Sequence, residues 1–168
     1  MDDYKLKNNK YELFERLLSF LETPEGSTEE LNPVLSGYFS KVFAQLVSTK
    51  AKEVYSYVYT HTRVLDNLVK HSYQKSISEV LIRLLNTSES VFFDQEGLSA
   101  EDINSIRASY IFKITQKLGE SYGLEDHLNA IQILSELADN KVLFTEMVST
   151  RCFQEFVKNL TSDCDSTK

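Results

Sequence analysis

The chain has 168 residues, 42% apolar and 26% charged, with five Gly, two Pro and a formal charge of −7. That balance fits an ordered chain long enough to bury a core, and excludes a collagenous or disordered one. With no Lys/Arg stripe the acidic balance argues against nucleic acid as the main ligand, and no apolar run approaches the roughly 20 residues that insert across a membrane. So few Gly and Pro leave little material for the tight turns of an all-β design, so an all-α fold is expected. Met1-Asp2-Asp3-Tyr4-Lys5 lacks the basic start and apolar run of a secretory signal, so a cytoplasmic location is expected, with the nucleus as the alternative.

Tyr11, Phe14, Leu17, Leu18 and Leu21 recur at helical spacing and predict a first amphipathic helix, ended by Thr23-Pro24-Glu25-Gly26-Ser27. Asn32-Pro33 opens a second, because Asn can cap the exposed amides and Pro at the first helical position sacrifices no hydrogen bond. Its predicted inward stripe is Leu35, Phe39, Val42, Phe43, Leu46 and Val47. Residues 51–60 give a short helix with Val54, Tyr57 and Val58 inward, and residues 62–71 another with Val64, Leu65, Leu68 and Val69. Ser76-Ile77-Ser78-Glu79 has the form of a capping box, followed by an inward set of Ile77, Val80, Leu81, Leu84 and Leu85.

Residues 86–98 break the periodicity around Val91-Phe92-Phe93 and predict an irregular loop. Ser99-Ala100-Glu101-Asp102 is a further cap, with Asp in the place of Glu, before Ile103, Ile106, Tyr110, Ile111, Ile114 and Leu118. Leu124 to Ala138 carries Leu128, Ile131, Leu134 and Leu137, and residues 140–149 and 150–160 complete the helices. The expected organisation is one helical repeat domain over residues 1–161 and a polar tail over 162–168.

One pattern occurs twice. TRVLDNLVKH starts at Thr62 and TRCFQEFVKN at Thr150, 88 positions later. Each follows a short helix, and each short helix follows a longer one, in which Phe39, Phe43 and Leu46 stand opposite His127, Ile131 and Leu134 at the same offset. Two periods of about 44 fall in the roughly 40 to 47 residues of armadillo and HEAT repeats. The reading is an all-α, armadillo/HEAT-like right-handed α-solenoid, with a closed helical bundle as the alternative.

Reactive chemistry has little foothold. His61, His71 and His127 are in no metal-ligand spacing, no phosphate-binding or nucleophile-elbow motif is present, and Cys152 and Cys164 have no CxxC spacing. Cys152, beside Phe153 and Phe156, reads as a packing residue, and the scattered carboxylates read as solvated or helix-start charges. Tyr55 and Tyr59 share a helical face that Tyr57 leaves, which points to mixed packing and surface roles rather than a ligand cage. No cofactor and no metal is expected, and function has to come from a surface.

Residues 31–47, LNPVLSGYFSKVFAQLV, resemble the segment LNPLLASFFSKV of the SAPS family, regulatory subunits of protein phosphatase 6 type serine/threonine phosphatases. VLDNLVKH at Val64 to His71 is similar to FVDLLLKH of the family, SISEVLIRLL at Ser76 to Leu85 to SAIMDLLLRLL, and AIQIL at Ala130 to Leu134 to a later block. Residues 86–102 are shorter than the family's segment there, so the chain is expected to be a compact divergent member or an excised piece. The resemblance implies a non-catalytic helical-repeat subunit that binds a phosphatase catalytic subunit and directs its substrate choice or location. Polar residues within the matched blocks, Lys41, Asp66, Lys70, His71 and Arg83, are the candidate partner contacts. Two other readings stay open: a helical-repeat adaptor for an unrelated partner, for example in trafficking, and a small α-helical enzyme.

Overall fold

The computed structural model describes residues 11–23, 30–87 and 98–162. Among them are nine α-helices and no strand: α1 Glu12–Leu18, continued by a 3-10 turn Ser19–Leu21, then α2 Pro33–Thr49, α3 Ala51–Thr60, α4 Arg63–Lys70, α5 Lys75–Leu85, α6 Ala100–Gln116, α7 Leu124–Ala138, α8 Lys141–Met147 and α9 Thr150–Ser162. The predicted helix over 51–60 and that from Leu124 to Ala138 are met to the residue. The tail from 163 and most of the loop around Phe92 and Phe93 lie outside the described residues.

Two of the predicted caps form and one does not. Asn32 Oδ1 accepts the amides of Val34 and Leu35 at 3.0 and 3.2 Å, with Pro33 at the first helical position. Ser99 Oγ accepts the Asp102 amide at 3.0 Å and Asp102 Oδ2 accepts the Ser99 amide at 3.0 Å, so Asp serves where Glu is usual. At α5 the helix already begins at Lys75, and its cap residue Gln74 makes no side-chain cap bond. The Ser76 box fails because a tertiary tie sets the entry instead: the Gln74 side-chain Nε2 donates to the Leu31 carbonyl, and the Leu31 backbone amide donates to Tyr73 Oη at 3.0 Å.

The helices pack in two rows. In one, α2, α5 and α7 lie side by side; in the other, the 3-10 turn, α4, α6 and α9 do, while α3 joins α2 to α4 and α8 rests on α6 and α7. Within a row neighbours run parallel. Thr62 meets Tyr110, Asp66 meets Lys113 and Lys70 meets Lys117, so α4 and α6 stay in step at 47 or 48 residues. Tyr73 meets Asn129 and Asn86 meets Asn140, which does the same for α5 and α7. Across the rows α4 and α5 are antiparallel, since the Leu84 carbonyl at the end of α5 accepts from Tyr59 Oη, just before α4.

One apolar cluster runs through both rows. The inward sets predicted for α4 and α5 are buried throughout. On α2, Phe39, Phe43 and Val47 are buried, but Leu35 and Val42 are about half exposed; on α7, Leu128 and Ile131 point out, and Ala130, Ile133 and Leu137 fill the core. The reason is position in the row. Helix α5 has a neighbour on each flank, whereas α2 and α7 each contact a single neighbour within their row, so the wide apolar stripe of an outer helix is only partly covered.

Candidate partner-binding surface

Polar groups inside the fold are turned on the chain itself. Arg107 is 2% exposed, donating to Tyr59 Oη at 3.2 Å and to the Thr87 carbonyl. Tyr55 and Tyr59, both buried, donate to the carbonyls of Arg83 and Leu84 at the end of α5, while half-buried Tyr57 stacks on His61 and bonds Glu15. Burial pushes the hydroxyl pKa of Tyr55, Tyr59 and Tyr110 above the usual phenol range. Cys152 is a buried thiol, and among the described residues no group of three or more His, Cys, Asp or Glu could hold a metal. No described helix is long and apolar enough to cross a membrane.

Three of the five candidate contact residues tie neighbouring helices together. Asp66 on α4 receives Lys113 Nζ at 2.5 Å and the Tyr110 hydroxyl at 3.0 Å, both from α6. Lys70 Nζ donates to Thr23 Oγ1 at 2.6 Å, and the His71 imidazole meets the Leu21 carbonyl through Nε2 at 3.1 Å. His71 is 2% exposed, so its ring meets its own chain and no outside molecule. Lys41 on α2 and Arg83 on α5 are exposed.

Those two mark a broad face. Helices α2, α5 and α7 turn their cores the same way, so the exposed positions opposite share the other side. On α2 these are Val34, Tyr38 and Lys41, on α5 Lys75, Glu79 and Arg83, and on α7 Leu124, Leu128 and Ile131, each set at helical spacing. Apolar side chains thus flank a charged strip. A depression of about 580 Å³ crosses the starts of all three helices, between Pro33, Lys75, Ser76 and Leu128. A second groove, of about 550 Å³, is lined mainly by Leu13, Phe14, Leu17, Val42, Leu46 and Val54 of α1, α2 and α3.

Reading the sequence missed Arg107 and the apolar members of the outer face. The signal for Arg107 was available: it falls four residues after Ile103 and three before Tyr110, on the inward side of α6. Tyr38, Leu124 and Leu128 could not be assigned outward from the sequence, because the periodicity of an end-of-row helix does not say which half of its stripe is covered.

The described residues form helices in two packed rows whose buried polar residues bond within the chain, with a wide mixed face left to solvent. The chain is 29% identical over 126 residues, 74% of its length, to serine/threonine-protein phosphatase 6 regulatory subunit 1 of Homo sapiens. It is 32% identical over 127 residues to regulatory subunit 3 of Gallus gallus, and 24% over 164 residues to regulatory subunit 2 of Mus musculus. It is therefore a distant homologue of the protein phosphatase 6 regulatory subunits, a divergent or partial relative of the SAPS family. The chain spans 13%, 13% and 18% of the length of these relatives. No family model and no solved structure matches it.

Proposed function

We propose that this chain is a non-catalytic regulatory subunit that binds a serine/threonine protein phosphatase catalytic subunit of the protein phosphatase 6 type and directs its substrate choice or location. The observation that carries the reading is the run of relatives named as regulatory subunits of that phosphatase, aligned over 74% of the chain in the human case. The layout supports it: parallel helices in two rows, with a long, short and Thr-Arg helix recurring as α2, α3, α4 and α7, α8, α9, fit an armadillo/HEAT-type solenoid, whose stacked units present an extended face to protein partners. Docking is assigned to the α2, α5 and α7 face, with Lys41 and Arg83 as its exposed charges, Tyr38 and Leu128 as apolar anchors, and Asp66, Lys70 and His71 holding the scaffold behind it.

The test is co-purification of the tagged chain from its source cells, followed by immunodetection of the phosphatase catalytic subunit. Recovery of that subunit, lost on Tyr38→Asp or Leu128→Asp with helicity unchanged, is the expected result. Absence of the phosphatase, under conditions where a related regulatory subunit retrieves it, would sink the reading. An unrelated trafficking protein recovered in its place would do the same.

A further inference from the structure

We propose that Thr23 is a phosphorylation site for a proline-directed protein kinase, and that Lys70 is the cation that receives the phosphate. Pro24 follows Thr23, and the other proline, Pro33, follows Asn32, so the chain holds a single Thr-Pro step and no Ser-Pro step. The 3-10 turn stops at Leu21, Glu22 takes an extended backbone with φ −82° and ψ 112°, and Thr23 is half-buried, outside helix and strand. Proline suits this arrangement, because it disfavours helical backbone in the residue before it and offers no N–H. A kinase that accepts Thr-Pro meets a segment that has already left its helix.

The position of Lys70 points to the same modification. Two other lysines that tie helices together end on carboxylates, Lys113 on Asp66 at 2.5 Å and Lys117 on Asp126 at 2.7 Å. Lys70 Nζ instead ends on the neutral Thr23 Oγ1 at 2.6 Å and meets no carboxylate among the described residues. Its ammonium thus lies on the oxygen that would carry the phosphate. A phosphothreonine bears about −1.5 to −2 charge at pH 7 and three acceptor oxygens, so a neutral contact becomes a charge-assisted one. Glu22 is exposed, and water and salt screen its repulsion. The pair would fasten the 3-10 turn to the end of α4, where His71 Nε2 already meets the Leu21 carbonyl. In the transfer, the Thr23 hydroxyl oxygen attacks the γ-phosphorus of ATP, the bond to the β-phosphate oxygen breaks and ADP leaves, while the hydroxyl proton passes to the catalytic carboxylate of the kinase. Lys70 is exposed on a flexible stem and can swing aside for that step.

The test incubates the whole chain with ATP, magnesium and a purified proline-directed kinase, and maps the product by tandem mass spectrometry. One phosphate on Thr23 is expected, absent in Thr23→Val and in Pro24→Ala. At low salt the phosphorylated chain should melt about 3 °C above the unmodified one. Lys70→Met should abolish that gain while leaving the phosphorylation itself intact. No incorporation, under conditions where a control Thr-Pro peptide is phosphorylated, overturns the proposal, as does a phosphate found elsewhere but not on Thr23. An unchanged melting temperature, or a gain that persists in Lys70→Met, overturns the role of Lys70 and with it the proposal. Phosphatase binding enters none of these readings.

Discussion

Asp66 and Lys113 stand 47 residues apart in the chain and 2.5 Å apart in space. The pair joins α4 to α6, and the same carboxylate takes the hydroxyl of Tyr110, which also reaches the Thr62 carbonyl at 2.9 Å. The two partners of Asp66 differ in burial. Tyr110 is 3% exposed, while the Lys113 side chain is 42% exposed and screened by water. Tyr110→Phe should therefore cost about 1 kcal/mol and lower the melting temperature by roughly 2–4 °C. Lys113→Ala should stay within about 0.5 kcal/mol. A thermal melt followed by circular dichroism compares them, and equal losses would refute the assignment of the register to the buried hydroxyl.

The second prediction concerns acid. His71 donates Nε2–H to the Leu21 carbonyl, and its Nδ1 has no hydrogen-bond partner among the described residues. Burial is the main cause that lowers its pKa from 6.5, and the ammonium groups of Lys70 and Lys117 lower it further against the raising effect of the Leu21 carbonyl. The folded chain therefore takes up this proton later than the unfolded chain as acid is added. Its contribution is intact above pH 6.5 and is lost as pH falls from there toward the depressed folded value. Urea midpoints at pH 7.5 and pH 5.5 should show the drop, and His71→Gln should flatten it.

Arg107 offers the largest single effect. It is buried, and its guanidinium serves Tyr59, Thr87 and Asn104 together. Arg107→Ala opens a cavity and strands the Thr87 carbonyl, so unfolding should become easier by about 3 kcal/mol. Arg107→Met restores most of the volume and should recover about half of that loss. Denaturant titration of the two variants separates packing from hydrogen bonding; a neutral Arg107→Ala would mean the site collapses without cost.

The cap on α6 gives a local test. Ser99→Ala removes the acceptor of the Asp102 amide and should cost about 1 kcal/mol. Asp102 is held below the usual carboxylate range by the Ser99 hydroxyl and amide, so its protonation should weaken the same turn. Hydrogen exchange of the first α6 amides should quicken in Ser99→Ala at neutral pH, while α4 amides keep their rates.

How far the fold could be read from the sequence depends on where a residue's partner comes from. Asn32, Ser99 and the inward sets of α4 and α5 were legible because their partners lie within a turn or two, or on every side. Ser76 misled because Gln74 finds Leu31, which is 43 residues away. Leu128 and Ile131 misled for a different reason, since the outermost helix of a row keeps an apolar stripe wider than its covered face. His71 and Lys70 sit in a block that resembles the family's, yet their bonds to Leu21 and Thr23 are tertiary and left no local mark. The candidate face is legible only in part: Lys41 and Arg83 could be named, but the apolar residues that flank them needed the rows.

Helix α5 has neighbours on both flanks and α4 beneath, and only Lys75, Glu79 and Arg83 are exposed, with Ser76 half-buried at its start. A strip one residue wide, advancing four positions at a time, is all the room this helix leaves for sequence drift. Any tolerated variation in α5 should fall into that single file, and a library randomised across Lys75 to Leu85 should return hydrophilic survivors almost nowhere else.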